Sequence, residues 1–316
     1  MRYRKLGKTN MEVSEIGFGG FAIGGVDYGP TDDRESIAAI ERAFSLGVTF
    51  FDTADLYGDG HSESLIGRTL KGKNPSPVIA TKVGFVGERK RHQKKDFSRS
   101  HILGAVEQSL RRLQRDAIDL YQLHNPTFAD VENGEAFGVM DELVKAGKVR
   151  FWGVSVTSRD AIQVCRHALA RPSVSSTQIL YNLFHRQDLK ALEGEIRQRA
   201  MGVVARAPLE YGMLTGKFSR ASQFSPGDHR SWRWEPEEFS KKMGQVEALK
   251  EAFQGKPFTL AQLAIGFALS HPDVSVVICG AKRPSQIEDN VAASEFMGKA
   301  IRESELQKAR DLITAE

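Results

Sequence analysis

The feature that most constrains this chain is a unit that recurs along it. An apolar run of four to six residues is followed by a stretch with helical spacing, and this happens about eight times in 316 residues. The apolar runs stand at 16–19, 48–52, 78–82, 118–123, 149–154, 176–180, 202–207 and 275–278. Their β-branched and aromatic content reads as strand. The spacing predicts helices over 33–46, 101–113, 135–146, 159–169, 188–200, 259–270, 285–293 and 304–313. One more helix is predicted after 62. Strands alternating with helices imply a parallel sheet with right-handed crossovers. Eight such units in this length predict an α/β fold closed into a (β/α)8 TIM barrel. Residues 2–16 read as a β-hairpin around Gly7-Lys8-Thr9-Asn10, placed to plug the amino-terminal mouth. Residues 217–245, rich in Ser, Arg, Trp and Pro, read as a long irregular loop after the seventh strand, overhanging the opposite mouth. No linker divides the chain, so a single domain is expected over 1–316.

In a parallel barrel the chemistry sits where the strands end. The second strand ends in Asp52, and Tyr57 follows in a loop punctuated by Gly58 and Gly60. Ser62 reads as the N-cap of the next helix, whose apolar face is Leu65, Ile66 and Leu70. The third strand ends in Thr81-Lys82. A lysine finishing an apolar strand calls for an anionic partner. The fourth ends at His124, and the sixth carries Gln178 ahead of Tyr181-Asn182.

These side chains suit one kind of chemistry. A phenol titrates at about 10, too high for acid–base work at neutral pH. A neighbouring ammonium favours the phenolate and lowers that value. An aspartate keeps the ammonium charged and in place, and a histidine can orient a substrate oxygen. A tyrosine so placed can protonate an alkoxide as it forms, which carbonyl reduction requires. No metal-ligand spacing accompanies His124, so no metal site is expected.

Composition excludes little. The net charge of +4 is small beside 44 basic and 40 acidic side chains, so nucleic acid is not an expected partner. One basic run, 89–95, reads as a solvated loop rather than a polyanion site. Cys165 and Cys279 offer neither a disulfide framework nor metal spacing, which fits a reducing compartment. No apolar h-region follows the amino terminus, and no apolar run reaches the length of a membrane span. The expectation is a cytoplasmic protein with no membrane partner.

The segments GFGG, FDTADLYGDGHSESLIG, ATKVG, DLYQLHNP, GKVRFWGVS, QILYN, APLEYGMLTGK and GAKRPSQIEDN follow one another along the chain. In that order, and over nearly its whole length, they resemble the aldo-keto reductase superfamily. The resemblance implies a catalytic tetrad of Asp52, Tyr57, Lys82 and His124, with Tyr57 as general acid. It also implies a nicotinamide dinucleotide, NADPH, bound across the barrel mouth without a GxGxxG fingerprint.

The cofactor contacts it implies run from one end of the dinucleotide to the other. Gly20 and Phe21 fall beside the nicotinamide ribose and its phosphate, and Ser155 and Gln178, with Asp52 nearby, at the carboxamide. Arg206 stands where many members carry a stacking tyrosine, and Val156 where the family usually has asparagine. Ala207, Pro208, Leu209, Gly212, Leu214 and Lys217 resemble a loop closing over the pyrophosphate. Gly280, Ala281, Lys282, Arg283, Gln286 and Asn290 open the last helix as a 2′-phosphate site. Arg230 is an adenosine-side contact. Phe21, Tyr28, Phe85, Trp152, Trp232 and Trp234 are candidates for the substrate wall.

The function implied is reduction of a small-molecule aldehyde, ketone or sugar carbonyl to the alcohol. The alternative is a cofactor-binding regulatory subunit, since potassium-channel β subunits share much of this motif set.

Overall fold

The computed structural model describes residues 1–87, 94–157 and 160–315. Most of the basic run 89–95 and the expected helix start at 159 lie outside the described residues.

The chain begins with an antiparallel hairpin, β1 (Tyr3–Lys5) and β2 (Glu12–Ser14). The barrel starts at β3 (Ile16–Gly19) and β4 (Phe50–Asp52), with α1 (Asp33–Ser45) between them. Next come α2 (His61–Leu70), β5 (Val78–Val83) and a small ribbon of β6 (Phe85–Val86) with β7 (Lys94–Lys95). Then follow α3 (Arg99–Leu113), β8 (Ile118–His124), α4 (Phe128–Val131), α5 (Glu135–Lys145) and β9 (Val149–Val156). The next turns are α6 (Ala161–Leu169), β10 (Val174–Leu180), α7 (Gln187–Arg199) and β11 (Gly202–Arg206). The chain closes with α8 (Pro236–Ala252), α9 (Leu260–Ser270), β12 (Val274–Gly280), α10 (Pro284–Phe296) and α11 (Glu303–Leu312). The strands β3, β4, β5, β8, β9, β10, β11 and β12 pair in parallel, in chain order, and β12 returns to β3 to close the barrel.

Strand parity sorts the residues. Phe18, Phe51, Ile79, Val83, Tyr121, Leu123, Trp152, Val154 and Val277 belong to the large core between sheet and helices. Phe50, Ala80, Leu120, Val204 and Val276 form a second cluster inside the barrel. Leu6, Met11 and Val13 of the hairpin join that inner cluster, so the hairpin stoppers the amino-terminal mouth. Two residues further along each strand, the same inward parity reaches Asp52, Lys82, Gln122 and Arg206. The barrel interior is therefore apolar at the bottom and polar at the top.

The structure corrects three expectations. The segment after β11 is not irregular throughout: it folds into α8 from Pro236 onward. Pro at the first helical position and Glu237 and Glu238 in the first turn are ordinary start signals. What hides the helix is its buried face, where Lys242 stands with Met243, Val246 and Leu249. Ser62 is not an N-cap: α2 starts at His61 behind Gly60, which is in the left-handed region. The Ser62 hydroxyl donates instead to the Gly20 carbonyl (2.9 Å) and accepts from Thr53 (2.8 Å), tying two strand ends together. Trp152 faces the helices, donates to Asp141 (2.8 Å) and packs on Phe137, so it lines no cavity.

Leu6 is fully buried inside the barrel mouth. Truncating it in Leu6→Ala should cost about 2–5 kcal/mol of stability. Urea unfolding of the variant beside the parent reads this directly, and an unchanged midpoint would remove the stopper role.

Candidate active site

The polar layer at the carboxyl ends of the strands is wired together. Lys82 is fully buried, and its Nζ donates to Asp52 Oδ1 (2.6 Å), the Thr53 carbonyl (2.7 Å) and the Tyr57 hydroxyl (3.2 Å). Gln178 Nε2 donates to the other Asp52 oxygen (2.8 Å), and Ser155 Oγ donates to Gln178 Oε1 (3.1 Å). A continuous hydrogen-bonded chain thus runs Ser155–Gln178–Asp52–Lys82–Tyr57 across β9, β10, β4 and β5. His124, at the end of β8, stands edge-on to Tyr57, with ring centres 5.9 Å apart. Phe85 braces its other side at 4.8 Å.

Electrostatics set the protonation of this chain. Burial opposes the charge on Lys82, but the Asp52 carboxylate and the Tyr57 oxygen outweigh it and raise the lysine pKa. Lys82 therefore remains an ammonium. The expected lowering of the Tyr57 pKa is not the net result. Burial raises it, and the opposing pull of Lys82 is the smaller effect. Tyr57 rests as a neutral phenol with its proton in place.

The loop bearing Tyr57 is held by close backbone packing. Gly58 has φ +65°, and a Cβ on it would lie 2.0 Å from the Gly24 carbonyl oxygen. Only glycine fits there.

These groups open on a cavity of about 690 Å³ at the carboxyl-terminal mouth, within the usual range for a small-molecule site. Of the expected site residues, its lining gathers Phe21, Asp52, Tyr57, His124, Ser155, Gln178, Arg206, Ala207, Pro208, Leu209, Gly212, Arg230, Gly280, Ala281, Lys282 and Gln286. Tyr28 and Phe85 line it as well; Trp232 and Trp234 do not.

Five expected contacts lie outside that lining. Gly20 packs beneath it, where a Cβ would come within 2.6 Å of Ser62 Oγ. Leu214 is in the helix-facing core. Lys217 is exposed, near enough to Asp289 to influence its carboxyl. Arg283 is exposed and lies 3.7 Å from Glu35. Asn290 donates to the Gly280 carbonyl (3.3 Å). Val156 is buried in the helix-facing core, and Asn125 and Thr157 line the cavity beside Ser155.

The cavity has the chemistry to hold a dinucleotide. A Cβ on Gly280 would meet nothing closer than 3.9 Å, so packing within the chain does not require glycine there, while a ligand lying against this floor would. Arg206, in the lining, has its Nη2 buried without a hydrogen-bond partner. Lys282 and Arg230 add cationic groups to the lining.

Sequence reasoning missed Tyr211 and Arg233, which form one wall of the cavity. Arg206 Nη1 donates to the Tyr211 hydroxyl (3.3 Å), and the Arg233 guanidinium lies 3.6 Å from the centre of the same ring. Neither residue falls at a strand end or in a periodic element, so no spacing signal marks them. The loop carrying Tyr211 is fastened by Glu210. That buried carboxylate accepts from Asn182 (2.9 Å) and pairs with His185 (3.3 Å) and Lys242 (3.5 Å). Burial alone would raise its pKa, but these partners, His185 foremost, bring it down to about 2.

Comparison with known proteins follows the geometry. Residues 15–309 match the sequence model of the Aldo/keto reductase family. The chain is 34% identical over 309 residues to aldo-keto reductase YhdN of Bacillus subtilis, spanning 94% of this chain and 89% of that protein. It is 32% identical over 319 residues to aldo-keto reductase yakc [NADP(+)] of Schizosaccharomyces pombe, spanning 95% and 90%. The holo form of aldo-keto reductase AKR11C1 from Bacillus halodurans superimposes with a TM-score of 0.82 at 30% identity, covering 100% of this chain and 97% of that one.

Two outcomes follow from the charges. Asp52→Asn leaves the Lys82 ammonium buried without its counter-charge and should cost roughly 3–5 kcal/mol. Adding Lys82→Met should return much of that loss in denaturant titrations; a single variant as stable as the parent would contradict the pairing. Glu210 has a folded pKa of about 2, below the ordinary carboxyl value. Its contribution is thus complete above the unfolded pKa and is lost as pH falls through about 4 toward 2. Glu210→Gln should flatten the fall of melting temperature across that window.

Proposed function

The chain belongs to the aldo/keto reductase family of oxidoreductases, and we propose that it is an NADPH-dependent reductase of aldehydes, ketones or sugar carbonyls, working as a single barrel domain with Tyr57 as proton donor. One observation carries this reading: the buried chain from Gln178 through Asp52 and Lys82 to the Tyr57 hydroxyl, opening beside His124 on a cavity of dinucleotide-compatible chemistry.

NADPH, when bound, supplies the hydride. The residues do the rest. His124 orients the carbonyl oxygen from the end of β8. Tyr57 gives its proton to that oxygen as negative charge develops on it. The phenolate left behind faces the Lys82 ammonium at 3.2 Å, which offsets the new charge without reorganisation. Asp52 keeps that ammonium aimed and neutralised between turnovers. In the direction of alcohol oxidation the same groups act in reverse, with Tyr57 as base.

Ser155, Gln178 and Arg206 would hold the nicotinamide end. The backbone from Ala207 to Gly212, with Lys217, would meet the pyrophosphate, and Lys282 and Arg283 the 2′-phosphate. Lys282, which lines the cavity, supports NADPH over NADH, as does the Schizosaccharomyces pombe relative whose name carries NADP(+).

Tyr57→Phe keeps the ring and removes the proton. Its kcat for aldehyde reduction should fall roughly 10²–10⁴-fold, with NADPH affinity by tryptophan fluorescence quenching unchanged. Near-normal reduction by this variant would overturn the role of Tyr57. Multiple turnover of the parent with a small aldehyde separates the reductase from the regulatory-subunit alternative.

A further inference from the structure

A second cavity, of about 800 Å³, adjoins the loop that carries Tyr57. One wall is that loop, at Asp55 and Asp59, and another is α3, at His101, Gly104 and Arg112. Val26 and Val86, two of the large apolar side chains left exposed on this protein, line it as well. The cavity touches the first one at Leu56 and Phe85, which belong to both linings. Carbonyl reduction makes no use of it.

Its polar groups are short of donors. Asp55 Oδ1 and His101 Nε2 are buried atoms with no hydrogen-bond partner. Leaving such groups unmet is costly. A carboxylate oxygen only accepts, and an imidazole nitrogen accepts in one of its tautomers. Among the described residues Arg112 is the one arginine or lysine in the lining, and it is already engaged. Its Nε donates to the fully buried Glu63 (2.7 Å), whose other oxygen accepts from Thr81 (2.6 Å). The charged groups facing Asp55 are therefore Glu63 from α2, Arg112 from α3 and Lys82 from β5, and the Tyr121 phenol of β8 feels its charge in turn. Burial first, and Glu63 second, push the Asp55 carboxyl up to about 8 against the pull of the Leu56 N–H and the two cations. The chain alone holds this acid neutral at neutral pH, and an arriving cation would draw its proton off.

We infer that this cavity is a binding site for a small organic ammonium with an apolar body, its charged end seated at Asp55 and His101. An ammonium brings three donors and no acceptor, so it answers both unmet atoms and supplies the missing charge. The apolar body has Val26 and Val86 to rest on. At Gly104 a Cβ would meet nothing within 4 Å, so α3 leaves room for it. The site is separate from the dinucleotide cavity and does not rest on the reductase reading. Its occupant touches the loop from which Tyr57 reaches in.

The test is calorimetric titration of the full chain with protonated benzylamine and with benzyl alcohol, its neutral counterpart. Benzylammonium should bind roughly 10- to 100-fold more tightly, with the same affinity whether or not NADPH is present in excess. Its affinity should rise roughly five- to tenfold as pH goes from about 7 to about 8.5, because the ionised carboxyl is the competent form. Asp55→Asn should bring the two ligands to equal affinity and remove the rise with pH. Gly104→Leu fills the cavity from α3 and should weaken both ligands at least about tenfold, with a melting temperature at or above the parent's, since leucine favours a helix over glycine.

No binding of benzylammonium to the parent, or equal affinity for the two ligands, would overturn the site. So would an Asp55→Asn or Gly104→Leu variant that binds benzylammonium as the parent does. Loss of benzylammonium affinity in the presence of NADPH would place the cation in the dinucleotide cavity instead and would overturn the site equally.

Discussion

A fully buried ammonium is the constraint around which this structure is arranged. Lys82 has no access to solvent, so its charge must be met within the chain. Asp52 supplies the counter-charge from the neighbouring strand, Thr53 supplies a carbonyl, and the remaining direction is given to Tyr57. Asp52 would be over-rich in acceptors with one partner, and Gln178 takes its second oxygen from across the barrel. Each residue of the chain thus satisfies the previous one and creates the next demand. The outcome is a neutral phenol facing a cation.

That arrangement depends on the barrel being two materials in one tube. The inward positions are apolar near the hairpin and polar two residues later on the same strands. The apolar floor excludes water from beneath the ion pair, and the glycines at the top let loops press close. Gly58 against Gly24 is one such approach, and it fixes the loop from which Tyr57 reaches in. The carboxylate of Glu210 does comparable service on the far side, holding a segment with consecutive left-handed residues, Glu210 and Tyr211, against α8.

Much of this was legible before any coordinates. The alternation of strand and helix is a strong signal because the barrel strands are buried on both faces and most of the helices on one, α9 being buried all round. Asp52, Lys82 and His124 stood out because polar residues interrupt apolar runs at their ends. Other features were not legible, for identifiable reasons. The bond from Gln178 to Asp52 joins residues 126 apart, and nothing local encodes it. The helix α8 buries a lysine, which breaks the apolar stripe that would announce it. Trp152 was misassigned because the parity that carries Ser155 inward carries Trp152 outward. Tyr211 and Arg233 belong to irregular backbone, where position depends on tertiary contacts alone.

The hairpin at the amino-terminal mouth has a further consequence, for traffic. With Leu6, Met11 and Val13 filling that end, the barrel is a blind tube, and the cavity above it opens on one side. Two molecules that meet in such a space share one doorway. Whatever lies against the strand ends has the rim as its exit, because the stopper closes the opposite end of the barrel.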